Sequence, residues 1–285
     1  MKKYYLMAID NGSTDAIYYL GNYYEDIEKN YDEMKKYYLM AIDEENSSAI
    51  IKLGDYYKTI EKNYDEMKKY YLMAIYNSDA MYNLANYYET IEINYDEMKK
   101  YYLMAIDEGN SASMFSVGRY YETIEKNYDE MKKYYLMAID NCNIKRINLC
   151  NYYYGGNYLE SNDQKNELMV IDKCNIEAIN NLGNYYETIE KNYDLMQKYY
   201  LMAIEKGNID AMHKLGSYYE TIEKNYDNMK KYYLMAIDKG NSDAMFNLGN
   251  YYEYIEINYD EMKKYYLMAI DNGDSGSMLN FGCYY

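Results

Sequence analysis

The chain has 285 residues, 48 of them tyrosine, with no proline or tryptophan and a formal net charge of −17. That charge argues against sequence-independent nucleic-acid binding, which needs a basic footprint, and against an anionic membrane surface; it favours a basic or mixed-charge partner. No apolar run reaches the roughly 18 residues of a membrane helix, and the stretch after Lys2 and Lys3 is broken by Asp10 without a small-residue cleavage site, so neither a span nor a signal peptide is expected.

The opening segment, MKKYYLMAI, recurs at Met34, Met67, Met98, Met131, Met229 and Met262. The Leu that heads "LMAI" or its variant falls at Leu6, Leu39, Leu72, Leu103, Leu136, Leu168, Leu201, Leu234 and Leu267, which sets about nine units of 31–33 residues over 1–285. A fixed period in this range is the mark of a solenoid, and no separate domain or linker is left over. The first unit holds this segment, termed helix B, with no helix A before it.

Next comes DAIYYLGNYYEDIEK, Asp15 to Lys29, where Ala16, Leu20, Tyr23, Tyr24 and Ile27 fall at helical spacing. This is helix A. In the helix B that follows, Tyr31, Met34, Tyr38, Ala41 and Ile42 form the apolar face, with Asp32 and Lys36 four apart. Asn30 is expected to cap helix B while Glu33 reaches back, an Asn version of the capping box. Helix B is expected to end at Gly12, Gly109, Gly207, Gly240 and Gly273 in left-handed caps, with residues such as Ser111 and Ser242 capping the next helix A. Short turns at both ends make neighbouring helices antiparallel. Inside helix A, Gly21, Gly54, Gly118, Gly183, Gly216, Gly249 and Gly282 recur, replaced by the small Ala85 and Cys150. A mid-helix Gly costs roughly 1 kcal/mol against Ala, so close approach of helix B is expected there.

The unit at about 141–173 is irregular. It loses "KKYY", gains Gly155 and Gly156, and places Cys142 and Cys174 where its neighbours have the capping Gly. These cysteines with Cys150 fit no zinc spacing, and decay or a hinge is expected. Cys283 is the fourth; none forms a C-x-x-C pair, so free thiols in a reducing, cytoplasmic setting are expected. The final unit is truncated within helix A.

Residues Ala244, Leu248, Gly249, Tyr252, Tyr265, Tyr266, Ala269 and Gly273 trace one turn of a pattern that resembles the tetratricopeptide repeat, most of all its Sel-one-like subclass. The resemblance covers the whole chain and implies an all-α, right-handed α-solenoid of antiparallel helix pairs. It departs from that family in a shorter inter-helix loop, "ETIEKNYD", and in lacking the tetratricopeptide proline. The Tyr- and Asn-rich dialect resembles repeat proteins of giant DNA viruses of protists, and its bias is that of an AT-rich genome.

What the resemblance implies for function is a non-catalytic scaffold that holds a protein or peptide, with no cofactor or metal, in a concave groove lined by helix A. By analogy with such arrays, the groove positions are those three before and one after the mid-helix Gly. They include Tyr18, Asn22, Tyr82, Asn86, Phe115, Arg119, Asn180, Asn184, His213, Phe246 and Asn250. Glu25, Glu89, Glu122, Glu187, Glu220 and Glu253 would edge the groove. Asn amides can donate and accept together along an extended peptide, and aromatic anchors carry interface energy. Each such residue could equally be a drifting, half-exposed helix position. Self-association through uncapped ends, or a fragment of a longer array, stays open as the alternative. An enzyme is not expected: no phosphate loop, nucleophile elbow or ligand cluster occurs, and His213 is the only histidine.

Overall fold

The structure, a computed structural model, describes residues 1–154 and 162–284, with side chains described for 1–141 and 175–284. Two compact bodies emerge, Met1–Met137 and Ala138–Tyr285. The first holds α1 (Lys2–Asp10), α2 (Thr14–Tyr23), α3 (Tyr31–Asp43), α4 (Ser47–Tyr56), α5 (Tyr64–Met73), α6 (Ser78–Thr90), α7 (Tyr95–Asp107), α8 (Ser111–Tyr120) and the start of α9 (Tyr128–Tyr154). The second holds α10 (Asn162–Thr188), α11 (Tyr193–Glu205), α12 (Ile209–Thr221), α13 (Tyr226–Ile237), α14 (Ser242–Tyr254), α15 (Tyr259–Asp271) and α16 (Ser275–Tyr284). From α1 to α8, and again from α10 to α16, each helix packs on its neighbour in chain order, and α12 also touches α10 and α14. No described helix is long and apolar enough to cross a membrane.

The core of each hairpin follows from spacing. Met34, Tyr38 and Ala41 on α3 are fully buried, one helical turn apart, in one cluster with Ile17 and Leu20 on α2. The mid-helix Gly is explained by its partner. A Cβ on Gly21 would lie 2.5 Å from the ring of Tyr38, and one on Gly183 or Gly249 would meet Tyr200 or Tyr266 at the same distance. Gly282 has nothing within 4 Å.

Turn chemistry differs from expectation in several places. Gly12, Gly109, Gly207, Gly240 and Gly273 do have positive φ, between 76° and 88°. Ser111 and Ser242, however, are the first helical residues; the caps are Asn110, whose Oδ1 accepts from Ser113 N, and Asn241, which accepts from Ala244 N. Asn30 accepts from Glu33 N as expected, yet the Glu33 carboxylate turns to Lys36 at 3.2 Å, while Asp32 faces Lys35. Ile27 is 65% exposed rather than part of the apolar face. Helix A ends before it, in a π-type turn at Tyr24–Glu28, and the chain then leaves the 3.6-residue phase. Lys29, at φ 52°, takes the left-handed conformation that lets Asn30 N–H close on Tyr24 O. Asn30 therefore stops one helix with its backbone and starts the next with its side chain, which is why "N-Y-D" recurs.

The irregular unit lies largely outside the described residues, Gly155 and Gly156 entirely so. Its backbone shows that helix runs through Cys142 within α9 and through Cys174 within α10, with no break where the neighbouring units turn. Without the Gly that reaches positive φ cheaply, helix continuation wins.

Successive units are tied by a side-chain clamp that no single repeat displays. Lys35 pairs with Glu61 at 2.9 Å and sits 5.4 Å above the ring of Tyr56, whose hydroxyl donates to the same carboxylate at 2.8 Å. Lys99, Tyr120 and Glu125 repeat this, as do Lys230, Tyr251 and Glu256, while Gln197 stands in for the Lys at Tyr218 and Glu223. The lysine bond, then the Tyr56 bond, hold the Glu61 carboxyl below the usual range. Exposed pairs of this kind contribute little individually; here they fix register between units.

Candidate functional site: the helix A face

Of the residues expected to line a groove, the five rings lie over the buried tyrosine of the following helix B. Tyr18 lies over Tyr38 at 6.0 Å, Tyr82 over Tyr102 at 5.8 Å and Phe115 over Tyr135 at 5.6 Å. In the second body His213 lies over Tyr233 at 5.8 Å and Phe246 over Tyr266 at 6.2 Å. All five are half-buried. Asn180, at the same register, is buried, and its Nδ2 donates to Asp210 at 2.9 Å.

The position after the Gly feeds a hydrogen-bonded frame. The Tyr38 hydroxyl lies 2.7 Å from Asn22 Oδ1 and 2.6 Å from Glu25 Oε2, its single proton shared between them. Tyr200 does the same with Asn184 and Glu187, and Tyr266 with Asn250 and Glu253. Tyr102, Tyr135 and Tyr233 reach Glu89, Glu122 and Glu220, and Tyr71 reaches Asp55. Burial, then the carboxylate at the hydroxyl, push Tyr38, Tyr200 and Tyr233 far above the ordinary phenol range. The carbonyl oxygens of Asn184 and Asn250 each accept two internal bonds and that of Asn22 accepts one, which leaves their Nδ2 donors as the main groups to clamp anything else. Asn86 makes no side-chain hydrogen bond among the described residues, and Arg119 is exposed with its guanidinium 2.6 Å from Glu89.

Another set of residues was not singled out from the sequence. Two positions before the mid-helix Gly, a side chain reaches back to the preceding unit. Lys52 lies 3.4 Å from Glu25, Asn83 bonds Asp55 at 3.4 Å, Lys214 donates to Asn184 at 2.6 Å and Asn280 to Asn250 at 3.1 Å. Asn247 Nδ2 faces His213 Nε2 at 3.0 Å and Tyr233 Oη at 3.3 Å. The recurrence of Asn, or Lys in its place, at a fixed register was the available signal.

No protein-family model matches the chain, and no curated protein does. Solved structures do. A Sel1 repeat protein from Oxalobacter formigenes superposes with a TM-score of 0.55 at 15% identity, over 99% of this chain and 90% of that one. Pseudomonas aeruginosa pilF gives 0.55 at 17% identity, over 85% and 99%. The C-terminal part of a TPR repeat-containing protein from Cytophaga hutchinsonii gives 0.50 at 15% identity, over 86% and 92%. The fold is that of the Sel1-like and tetratricopeptide-like repeats. In this solenoid the mid-helix Gly and the buried Tyr are the hairpin's lock and key, and the residues around them form the helix A face.

His213 gives that face a pH dependence. Burial holds its imidazole below the usual histidine range, against the opposing pull of Asp243, Asp210 and Glu220, with Lys214 acting in the same direction as burial. The neutral ring accepts from Asn247, and the protonated ring cannot. The folded-state value lies below the free one, so this contribution is complete above about pH 6.5 and is lost as pH falls through the lowered value. Thermal melts of the wild type and His213→Gln should therefore differ most near pH 7.5 and converge towards pH 5. A gap between them that does not change over that range contradicts the assignment.

Proposed function

We propose that the chain is a non-catalytic scaffold whose helix A face holds a segment of another protein. The observation that supports this is the contrast at one register. The Gly–Tyr–Glu frame is nearly constant from unit to unit, while the ring or side chain laid over it changes from Tyr18 and Tyr82 to Phe115, Asn180, His213 and Phe246. A constant frame with a changing, half-open side chain is what a surface needs to read a different residue at each unit. Asn22 and Asn250 add Nδ2 donors suited to main-chain carbonyls of an extended segment. The net charge of −17 and the recurring carboxylates favour a basic guest.

The test is a selection of binding peptides from a random display library against the full chain. Each is then titrated calorimetrically against two variants checked for unchanged helicity. One carries Tyr18→Ala, His213→Ala and Phe246→Ala; the other carries Lys36→Ala, Lys69→Ala and Lys100→Ala on helix B. Binding should fall with the first and persist with the second, and the opposite pattern sinks the proposal.

A further inference from the structure

Within the first body two carboxylates of the helix A face already hold cations. Glu25 faces Lys52, 27 residues on, at 3.4 Å, and Glu89 holds Arg119, 30 residues on, at 2.6 Å. In the second body Lys214 stands at the first of these offsets from Glu187 but donates to Asn184, and for Glu220 and Glu253 both places are empty of charge. From Glu220 the same offsets lead to Asn247 and Asn250; from Glu253 they lead to Asn280 and Cys283. Glu220 contacts Tyr233 Oη and Glu253 contacts Tyr266 Oη, and neither carboxylate meets a cation among the described residues. The internal pairs of the first body thus display, on the same frame, the ligand that Glu220 and Glu253 lack.

We propose that Glu220 and Glu253, with His213, Phe246 and the Asn247 and Asn250 amides, receive two cationic side chains, Arg above Lys, of an extended polypeptide segment. This rests on the helix A reading above and names the chemistry of its guest. Guanidinium is preferred because it pairs with a carboxylate and stacks on a ring at once, and both are present at each subsite. Spacing follows from the fold. α12 and α14 are packed neighbours, and packed helices lie about 8–10 Å apart. An extended chain advances roughly 3.3–3.6 Å per residue, so the two cations fall about three residues apart. The guest pattern is Arg-x-x-Arg, with its main-chain carbonyls within reach of the Asn250 Nδ2.

The test uses the full chain and a fluorescein-labelled peptide, Arg-Gly-Ser-Arg-Gly-Ser-Arg, acetylated and amidated, read by anisotropy. The control peptide carries citrulline, the neutral isostere, at each Arg. The Arg peptide should bind at least about tenfold more tightly and weaken with added salt. Asn250→Arg copies Arg119 onto Glu220 and should lower that affinity by about tenfold or more in a chain of unchanged helicity; Glu220→Gln should lower it with no new side chain in the way. Equal binding of the two peptides, or affinity indifferent to both variants, overturns the proposal. If equal binding is lost with Phe246→Ala, the helix A reading survives and only the cation chemistry fails. No binding of either peptide at roughly millimolar protein also overturns the cation proposal, and the library selection then judges the helix A reading by itself.

Discussion

Tyr200→Ala is expected to cost about 3–5 kcal/mol, the range for removing a buried aromatic ring. Tyr200 is fully buried, its ring covers Gly183, and its hydroxyl serves Asn184 and Glu187. The truncation leaves a cavity between α10 and α11 and strips both polar partners of a donor. Tyr200→Phe keeps the ring and removes only the hydroxyl. Glu187 is half-exposed and can take water instead, so that change should cost only about 1–2 kcal/mol. Tyr76, 89% exposed, is the control, and Tyr76→Ala should be near neutral. Hydrogen exchange by peptide is the suitable readout, because repeat arrays open unit by unit and a single melt hides this. Protection should fall in α10 and α11 and stay unchanged in α3 and α5 of the first body. A uniform loss over the whole chain, or a Tyr200→Ala no worse than Tyr76→Ala, contradicts the local role.

What was legible in the sequence is whatever repeats within one unit. The period, the alternation of helices A and B, the Gly caps and the Asn cap of helix B all recur at fixed offsets. The mid-helix Gly could be read as a close approach because a repeated helix-breaking residue needs a repeated reason. What was not legible depends on two units at once or on backbone shape without a residue code. Lys52 reaching Glu25, or Lys35 clamping Glu61 over Tyr56, joins residues 26 or 27 apart, and no motif marks such a pair. Lys29 and Ile93 adopt positive φ although neither residue type favours it, so the π-type turn and the exposure of Ile27 could not be foreseen. The site was half legible. Register groups Tyr18, Phe115 and His213 as one set, but their stacking on buried tyrosines, and the internal engagement of the Asn carbonyls, needed three dimensions.

Gly249→Ala and Gly282→Ala are the same chemical change at the same register, and they should move stability in opposite directions. A methyl on Gly249 would sit 2.5 Å from the Tyr266 ring, and that ring is fully buried. It can yield only by shifting along α15, and overpacking of this kind costs about 1–3 kcal/mol. The third unit shows what the shift gives up. There Ala85 occupies the register, and Tyr102 keeps Glu89 but makes no bond to Asn86, whereas Tyr38, Tyr200 and Tyr266, each opposite a Gly, reach both partners. Gly249→Ala should therefore also break the Tyr266–Asn250 bond, visible as a changed Asn250 side-chain amide resonance. At Gly282 no atom lies within 4 Å of the added methyl, so only helix propensity acts, and Ala should gain up to about 1 kcal/mol in α16. Urea unfolding followed by circular dichroism, with exchange at α14 to α16, reads both. Two substitutions of equal sign would mean that propensity, not the tyrosine ring, decides this position, and the account of the recurring glycine would fall with it.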